Sequence, residues 1–242
     1  MGIRSKVEMR KVMNQADFIN RYKKFQNWKK STAGTSWTYH DRFDQDGFFV
    51  IKNLCNPEYL ITPVPEKTGL TVYDHMGKIV QVKEERQVLG STSRNNFPHY
   101  KEQYNKIRLE VEKQIGRKLY NTYYFDRFYY PGQVLDYHVD RGPCEISVSV
   151  HIGTNLEGDD MRWPFYIESP DKYKYKDEKK VEVLEYGGIS GHLLQPGDGI
   201  VYKGCECPHW RDEMPGQQGH HYYHQVFFHY VIQDGNMAHE CE

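Results

Sequence analysis

The sequence has no long apolar run, little cysteine and almost no net charge. No stretch approaches the roughly 18 apolar residues that a membrane-spanning helix needs, and residues 1–8 contain no apolar signal core. The five cysteines are scattered and odd in number, which favours a reducing compartment over a disulfide framework. These absences predict a cytoplasmic protein with no membrane partner.

The charges also exclude one class of partner. The chain has 32 Lys and Arg against 33 Asp and Glu, interspersed, for a net charge of −1. Proteins that bind nucleic acid draw much of their affinity from a concentrated basic surface. The sequence therefore predicts no nucleic-acid partner.

Aromatic residues are abundant, and the patterns around them are mainly those of strands. Twenty Tyr and eleven Phe favour pleated, half-buried surfaces. After residue 119, alternating apolar segments recur every 8 to 15 residues between turn signals, which is typical of an antiparallel barrel or jelly roll. The predicted strands are 46–54, 70–73, 79–82, 123–130, 134–140, 145–152, 163–168, 181–184, 192–194, 199–203 and 222–232.

Two segments have helical spacing instead. Residues 15–30 form an amphipathic pattern, and residues 101–116 place Tyr104, Ile107, Val111 and Ile115 on one face before Gly116 as a C-cap. Residues 94–99 are predicted to be a loop, and the charge-rich residues 172–180 are predicted to be a solvated one. We expect residues 1–45 to be an N-terminal helical segment packed on one domain, 46–242.

The segment with the clearest chemistry contains His138 and Asp140. The two side chains lie two residues apart in a predicted strand, so they leave the same face of the sheet. An imidazole and a carboxylate in this arrangement supply two members of the facial triad that holds non-haem Fe(II). The best third ligand is His209, with four rivals: His192, His220, His221 and His224. A hydrogen-bonded surface pair is the structural alternative for a short His-x-Asp motif.

Three stretches together resemble the 2-oxoglutarate- and Fe(II)-dependent dioxygenases of the prolyl-hydroxylase and phytanoyl-coenzyme-A-hydroxylase type. The stretches are Asp46-Gly-Phe-Phe-Val-Ile-Lys-Asn-Leu-Cys-Asn-Pro-Glu58, Tyr129-Tyr-Pro-Gly132 followed by His138-Val-Asp140, and Gln195-Pro-Gly-Asp-Gly-Ile-Val-Tyr-Lys203 leading into His209. The resemblance covers residues 46–232. It implies a mainly β fold with flanking helices, the double-stranded β-helix or cupin-like jelly roll.

The resemblance also implies a reaction. His138, Asp140 and His209 are the expected iron ligands, with 2-oxoglutarate and O2 as cosubstrates. The expected reaction is hydroxylation of an unactivated C–H bond in a small-molecule or peptidyl substrate. The carboxylate of Asp140 favours hydroxylation, because related halogenases lack it. Arg141, beside these residues, is a candidate for substrate contact.

The sequence departs from this family at the anchor for the distal carboxylate of 2-oxoglutarate. Related enzymes usually place Arg or Lys about ten residues beyond the distal histidine, whereas Gly219 occupies that position here. No Arg or Lys follows Arg211. A cation is expected because a buried carboxylate requires charge-assisted pairing. The candidates for binding the cosubstrate are Arg211, His224, Arg127 and Tyr129.

Other readings remain open. Gly132, His138, Asp140 and Glu145 approximate a cupin signature, which suits a metal-dependent oxygenase or isomerase that does not use 2-oxoglutarate. Glu145 would then be a fourth ligand. A non-catalytic binding module is a further alternative. Tyr-x-Pro-Gly before His-x-Asp also resembles DNA-alkylation-repair demethylases, but the paired arginines of those enzymes are missing. Cys205 and Cys207 are spaced too tightly for a usual zinc knuckle.

Overall fold

The computed structural model describes residues 39–158, 162–169 and 189–241. The predicted helix at 15–30, the predicted strand at 181–184 and the predicted loop at 172–180 lie outside these residues. Within them, no helix is long and apolar enough to cross a membrane.

Two sheets form the framework of the described chain. The larger has the strand order β1-β10-β7-β12-β5-β4-β2-β3, and the smaller has the order β6-β11-β8-β9. The strands are β1 Phe48–Ile51, β2 Gly69–Tyr73, β3 Ile79–Lys83, β4 Thr92–Asn95, β5 Leu119–Tyr129, β6 Leu135–His138, β7 Ile146–Thr154, β8 Phe165–Glu168, β9 Ile189–His192, β10 Gly199–Lys203, β11 His209–Arg211 and β12 Tyr223–Ile232. All pairings are antiparallel except that of β2 with β4. The predicted jelly-roll fold is confirmed.

The space between the two sheets is called the barrel interior below. Side chains from both sheets meet there, as in the cluster that contains Phe48, Phe165, Ile167, Ile200 and Tyr202. A second cluster joins Tyr129, Leu135, Trp163, Tyr223 and Phe227. Because neighbouring residues of a strand point to opposite faces, each of these strands turns only every second side chain inward.

The other face of the larger sheet packs against a helix. Helix α2, Lys101–Ile115, places its predicted apolar stripe in the same core as Val148, Val150, Val226 and Phe228. It ends at Gly116, whose φ of 69° is the left-handed conformation that glycine adopts without strain. Helix α1, Tyr39–Asp46, precedes β1, and its Phe43 contacts Phe49 edge to face at 5.6 Å.

The prediction of a loop at residues 94–99 was wrong for its first part. Residues Arg94 and Asn95 belong to β4, where Arg94 lies directly opposite Asp126 of β5. The polar composition of this stretch suggested exposure. The guanidinium is nonetheless buried, because the carboxylate of Asp126 neutralises it across the sheet.

Candidate metal centre

The three predicted ligands meet where the smaller sheet ends. His138 is the last residue of β6 and His209 the first of β11, and the two lie directly opposite in register, with ring centroids 4.3 Å apart. Asp140 follows β6, and its Oδ1 lies 3.7 Å from His138 Nε2 and 3.6 Å from His209 Nε2. One ligand atom from each lies within 4.8 Å of the other two. These residues are called the triad below.

Backbone carbonyls set the tautomer of both histidines. His138 Nδ1 lies 2.7 Å from the carbonyl oxygen of Asp136, and His209 Nδ1 lies 3.0 Å from that of Cys207. Since a carbonyl only accepts, each Nδ1 carries the proton and each Nε2 presents a lone pair towards Asp140. Burial lowers the pKa of both His138 and His209 to about 4. Both rings are therefore neutral at pH 7, the form in which imidazole binds a metal.

The carboxylate of Asp140 is held in one orientation. Its Oδ2 accepts a hydrogen bond of 2.8 Å from Ser147 Oγ, which lies 2.9 Å from His229 Nδ1. The backbone of Asp140 donates to the carbonyl of Gly204 at 2.8 Å. A Cβ at position 204 would lie 2.6 Å from Asp140 Oδ2, so only glycine fits beside the carboxylate. With Oδ2 occupied, Oδ1 faces the two imidazoles.

This donor set fits Fe(II). Two neutral imidazole nitrogens and one carboxylate oxygen, with orienting partners on their far sides, form the arrangement that non-haem Fe(II) oxygenases use. His209 is buried, whereas His138 and Asp140 are half-buried. The site therefore opens to solvent on one side, which a reaction centre needs and a closed structural site does not.

The rival ligands lie elsewhere. Among the described residues, the groups able to hold a metal contain none of His192, His220, His221 and His224. Glu145, the fourth ligand of the cupin alternative, accepts a hydrogen bond of 2.8 Å from the backbone of Ile232.

The two cysteines near His209 are also absent from these groups. Cys207 Sγ contacts the carbonyl oxygen of Gly47 at 3.4 Å, and Cys205 Sγ contacts that of Arg141 at 3.3 Å. The guanidinium of Arg141 lies over the ring of Tyr123, 5.3 Å from its centroid. Tyr123 is half-buried.

Arg211 is a fully buried cation in the barrel interior. It follows His209 by two residues on β11, and both residues contact the ring of Phe165. Its guanidinium donates to the carbonyl of Trp163 at 2.7 Å, to Gln225 Oε1 at 2.8 Å and to Tyr223 OH at 3.2 Å. Its Nε has no partner, and none of the described carboxylates pairs with it. An uncompensated buried charge is costly, and a bound anion would reduce that cost.

Arg127, the other buried arginine of the interior, already has a carboxylate. Its Nη2 lies 3.3 Å from Glu85 Oε2, its Nε donates to Ser93 Oγ at 3.0 Å, and its Nη1 lies 3.4 Å from Tyr129 OH. Tyr129 is fully buried and meets the ring of Trp163 at 5.0 Å. Arg127 and Tyr129 therefore lie in the interior with Arg211, but the charge of Arg127 is balanced.

The structure does not bring His224 to the triad. It lies on the helix-facing side of β12, where its Nε2 is 2.8 Å from Asp126 Oδ2 and its ring stacks on Phe128 at 3.7 Å. Asp126 also accepts hydrogen bonds from Arg94 and from Tyr100. This buried network links the sheet to the segment that opens α2.

Several residues that contact the site carried no signal in the sequence. Ser147 and His229 hold Asp140, and Gln225 contacts Arg211, but each reads as an ordinary polar position on a strand. Gln87 lies between the predicted strand 79–82 and the predicted loop 94–99, where the sequence contains no recognisable motif, and its amide contacts His138. The alternation of residues 145–152 puts Ser147, Ser149 and His151 on one face, and this pattern is a signal that could have found Ser147.

Solved 2OG-Fe(II) oxygenases share this fold. An oxidoreductase of the 2OG-Fe(II) oxygenase family from Burkholderia pseudomallei matches with a TM-score of 0.51 and 12% identity, covering 80% of this chain and 89% of that one. The non-haem α-ketoglutarate-dependent epimerase SnoN from nogalamycin biosynthesis matches with 0.53 and 8%, covering 80% and 81%. HygX from Streptomyces hygroscopicus, solved with nickel, 2-oxoglutarate and hygromycin B, matches with 0.50 and 11%, covering 79% and 85%.

No family model and no curated protein matches the sequence. The structural likenesses show that the chain has the fold of the 2OG-Fe(II) oxygenases, as the resemblance implied.

Proposed function

We propose that this protein is an Fe(II)- and 2-oxoglutarate-dependent dioxygenase that hydroxylates an unactivated C–H bond of a small-molecule or peptidyl substrate. The observation that carries the proposal is the triad, with two neutral imidazoles and one oriented carboxylate converging where β6 ends and β11 begins. The shared fold supports it.

A metal held by His138, Asp140 and His209 would have only three protein ligands, which leaves room for a cosubstrate and for O2. Fe(II), when bound, supplies the chemistry that activates O2, with 2-oxoglutarate converted to succinate and CO2 and one oxygen atom passing to the substrate. The protein holds the metal, orients the reactants and shields them from water. His138, Asp140 and His209 hold the metal, and the buried aromatic rings of the interior keep water away.

Arg211 is our choice for the distal carboxylate of 2-oxoglutarate. The charge argument favours it over Arg127, since Arg127 is neutralised by Glu85 and Arg211 has no such partner among the described residues. Two residues of strand span roughly 6–7 Å, a distance comparable with the length of a five-carbon dicarboxylate whose head lies beside His209. Tyr223 OH, at 3.2 Å from the guanidinium, is a second polar group at this point.

The test is an anaerobic Fe(II) titration with and without 2-oxoglutarate, followed by measurement of succinate after air is admitted. We expect a visible charge-transfer band only when both are present, and succinate afterwards. His209→Ala should lose most Fe(II) affinity, while His220→Ala, at an exposed histidine, serves as the control. Absence of both band and succinate would refute the use of 2-oxoglutarate. Unchanged Fe(II) affinity in His209→Ala would refute the ligand assignment.

A further inference from the structure

The side chain of Gln87 reaches the triad from outside the strands that carry it. Gln87 lies between β3 and β4, in the segment that follows Lys83 and precedes Thr92. Its amide Nε2 lies 3.2 Å from Nε2 of His138. Because His138 Nδ1 donates to the carbonyl of Asp136, His138 Nε2 is the acceptor and the amide of Gln87 is the donor.

Arg127 and Glu85 fix the direction of this amide. Gln87 Oε1 accepts a hydrogen bond of 2.9 Å from Arg127 Nη2, and the backbone N–H of Gln87 donates to Glu85 Oε1 at 2.9 Å. Glu85 in turn pairs with Arg127 at 3.3 Å. Turning the amide over would set its NH2 group against the N–H groups of the guanidinium, donor against donor. The carbonyl therefore stays on Arg127, and the N–H groups stay on the triad side.

Arg127 is a rigid support for this arrangement. It is 2% exposed, and Ser93 Oγ accepts from its Nε at 3.0 Å. Gln87 itself is exposed as a residue, so its amide lies between the buried ion pair and the solvent-accessible side of the triad.

Metal binding changes what this donor faces. A metal held by the triad takes the lone pair of His138 Nε2, which is the acceptor that Gln87 uses otherwise. Arg127 still holds the carbonyl end of the amide, so the N–H needs a new acceptor close by. Oxygen atoms of a ligand on the metal are suitable acceptors, and a charged oxygen makes the stronger hydrogen bond.

We propose that Gln87 is a positioning residue that donates a hydrogen bond from its amide to the 2-oxoacid head, the adjacent carboxylate and ketone, bound at the triad. Arg127 and Glu85 orient it. This inference rests on the proposed function and adds to it a contact on the head of the oxoacid, separate from the distal contact assigned to Arg211.

The probe is glyoxylate, the smallest 2-oxoacid. It carries the head group but no distal carboxylate, so its affinity does not depend on Arg211. Full-length protein is loaded with Co(II), whose visible bands report its coordination, and glyoxylate is titrated into wild type, Gln87→Leu and Gln133→Leu. Gln133 is the matched control because its amide contacts the carbonyl of Leu89 in the same segment, but none of its hydrogen bonds involves His138 or Arg127.

We expect Gln87→Leu to bind glyoxylate about 10-fold more weakly than wild type, the effect of one hydrogen bond to a charged group. Its Co(II) affinity should equal or exceed that of wild type, since a competitor for His138 is removed. Gln133→Leu should match wild type in both measurements. Gln87→Glu should lose more than Gln87→Leu, because it sets a negative charge beside an anionic ligand.

Each other outcome has one meaning. Equal glyoxylate affinity in wild type and Gln87→Leu overturns the role of Gln87 and leaves the proposed function intact. A loss of glyoxylate affinity in Gln133→Leu as large as that in Gln87→Leu assigns the effect to packing of the segment, and also overturns it. Wild type that binds Co(II) but no glyoxylate refutes the oxoacid part of the proposed function, and the role of Gln87 with it. Wild type that binds no Co(II) refutes the metal centre and both proposals.

Discussion

Replacing Arg211 by methionine separates two properties that usually fall together, ligand affinity and stability. Arg211 is fully buried, and its Nε is without a partner. Met has a similar length and no charge, so the variant removes a buried cation that has no carboxylate partner among the described residues. The loss of its hydrogen bonds leaves the carbonyl of Trp163 and Oε1 of Gln225 with one donor fewer, at about 1–3 kcal/mol each. Removing the buried charge adds several kcal/mol to the free energy of unfolding, because a cation no longer has to be taken out of water.

The free energy of unfolding of metal-free Arg211→Met should therefore lie within about 1 kcal/mol of wild type, or above it. Affinity for 2-oxoglutarate should fall much further. A guanidinium that makes two charge-assisted hydrogen bonds to a carboxylate contributes about 3–6 kcal/mol, at about 1.5–3 kcal/mol for each bond. That corresponds to a loss of roughly 100-fold or more in the dissociation constant.

The assay has two parts. Urea denaturation of metal-free protein measures stability, and titration of 2-oxoglutarate into Ni(II)-loaded protein under anaerobic conditions measures affinity. Arg127→Met is the matched control for the stability measurement alone, because it removes a buried arginine that does have a carboxylate partner and that also orients Gln87. It leaves Glu85 buried and unpaired and should cost about 3–5 kcal/mol of stability. If Arg211→Met binds 2-oxoglutarate within threefold of wild type, the assignment of Arg211 is wrong.

Three further outcomes follow from the contacts described above. Asp126→Asn should lower the free energy of unfolding by about 3–5 kcal/mol, because Arg94 is left buried without its carboxylate, and it should not change affinity for 2-oxoglutarate. Burial lowers the pKa of His151 to about 4, so the unfolded chain, where the pKa is near 6.5, binds that proton more readily. The stability contributed by neutral His151 is thus present above pH 6.5 and lost as the pH falls towards 4, by about 3 kcal/mol. Urea denaturation measures the free energy of unfolding at pH 7.5 and at pH 4. Its decrease between the two pH values should be smaller by about 3 kcal/mol in His151→Phe than in wild type. An equal decrease in both proteins would contradict the reasoning. Gly204→Ala should weaken Co(II) binding about 10-fold or more in a titration, because the new Cβ would clash with the carbonyl oxygen of Cys144 and lie 2.6 Å from Asp140 Oδ2, so that the local backbone and the carboxylate must both move.

The part of the site that local spacing defines could be predicted from the sequence. Residues two apart on a strand share a face, and this spacing predicted that His138 and Asp140 lie side by side. The structure brings the two side chains together, although β6 ends at His138 and the backbone of Asp140 is held by its hydrogen bond to Gly204. The meeting with His209 depends instead on the register of β6 with β11, which no local pattern encodes. Here the order of motifs in the resemblance supplied what spacing could not, and the structure brings the three side chains together as expected.

Strand β12 shows why the residues that face the interior could not all be predicted from the sequence. Alternation correctly separated His224 and Val226 from Gln225 and Phe227, but it cannot tell which set faces the interior when both faces of a strand are buried. One face of β12 packs on α2 and the other lines the barrel interior. The usual pattern, in which apolar residues mark the buried face and polar residues the exposed face, is therefore missing. Strand β4 could not be predicted from its local sequence either, because the burial of Arg94 depends on Asp126, 32 positions along the chain.

The carbonyls that orient the two histidines have a consequence for sequence variation. Each imidazole donates to the main chain two residues before it, at Asp136 and at Cys207. No side chain is used, so no substitution at position 136 or 207 can delete the acceptor as long as the strand ends keep their shape. The orientation of the two imidazoles is thereby set by backbone conformation, and the buried side chain of Cys207 is constrained by packing in the barrel interior rather than by the hydrogen bond to His209.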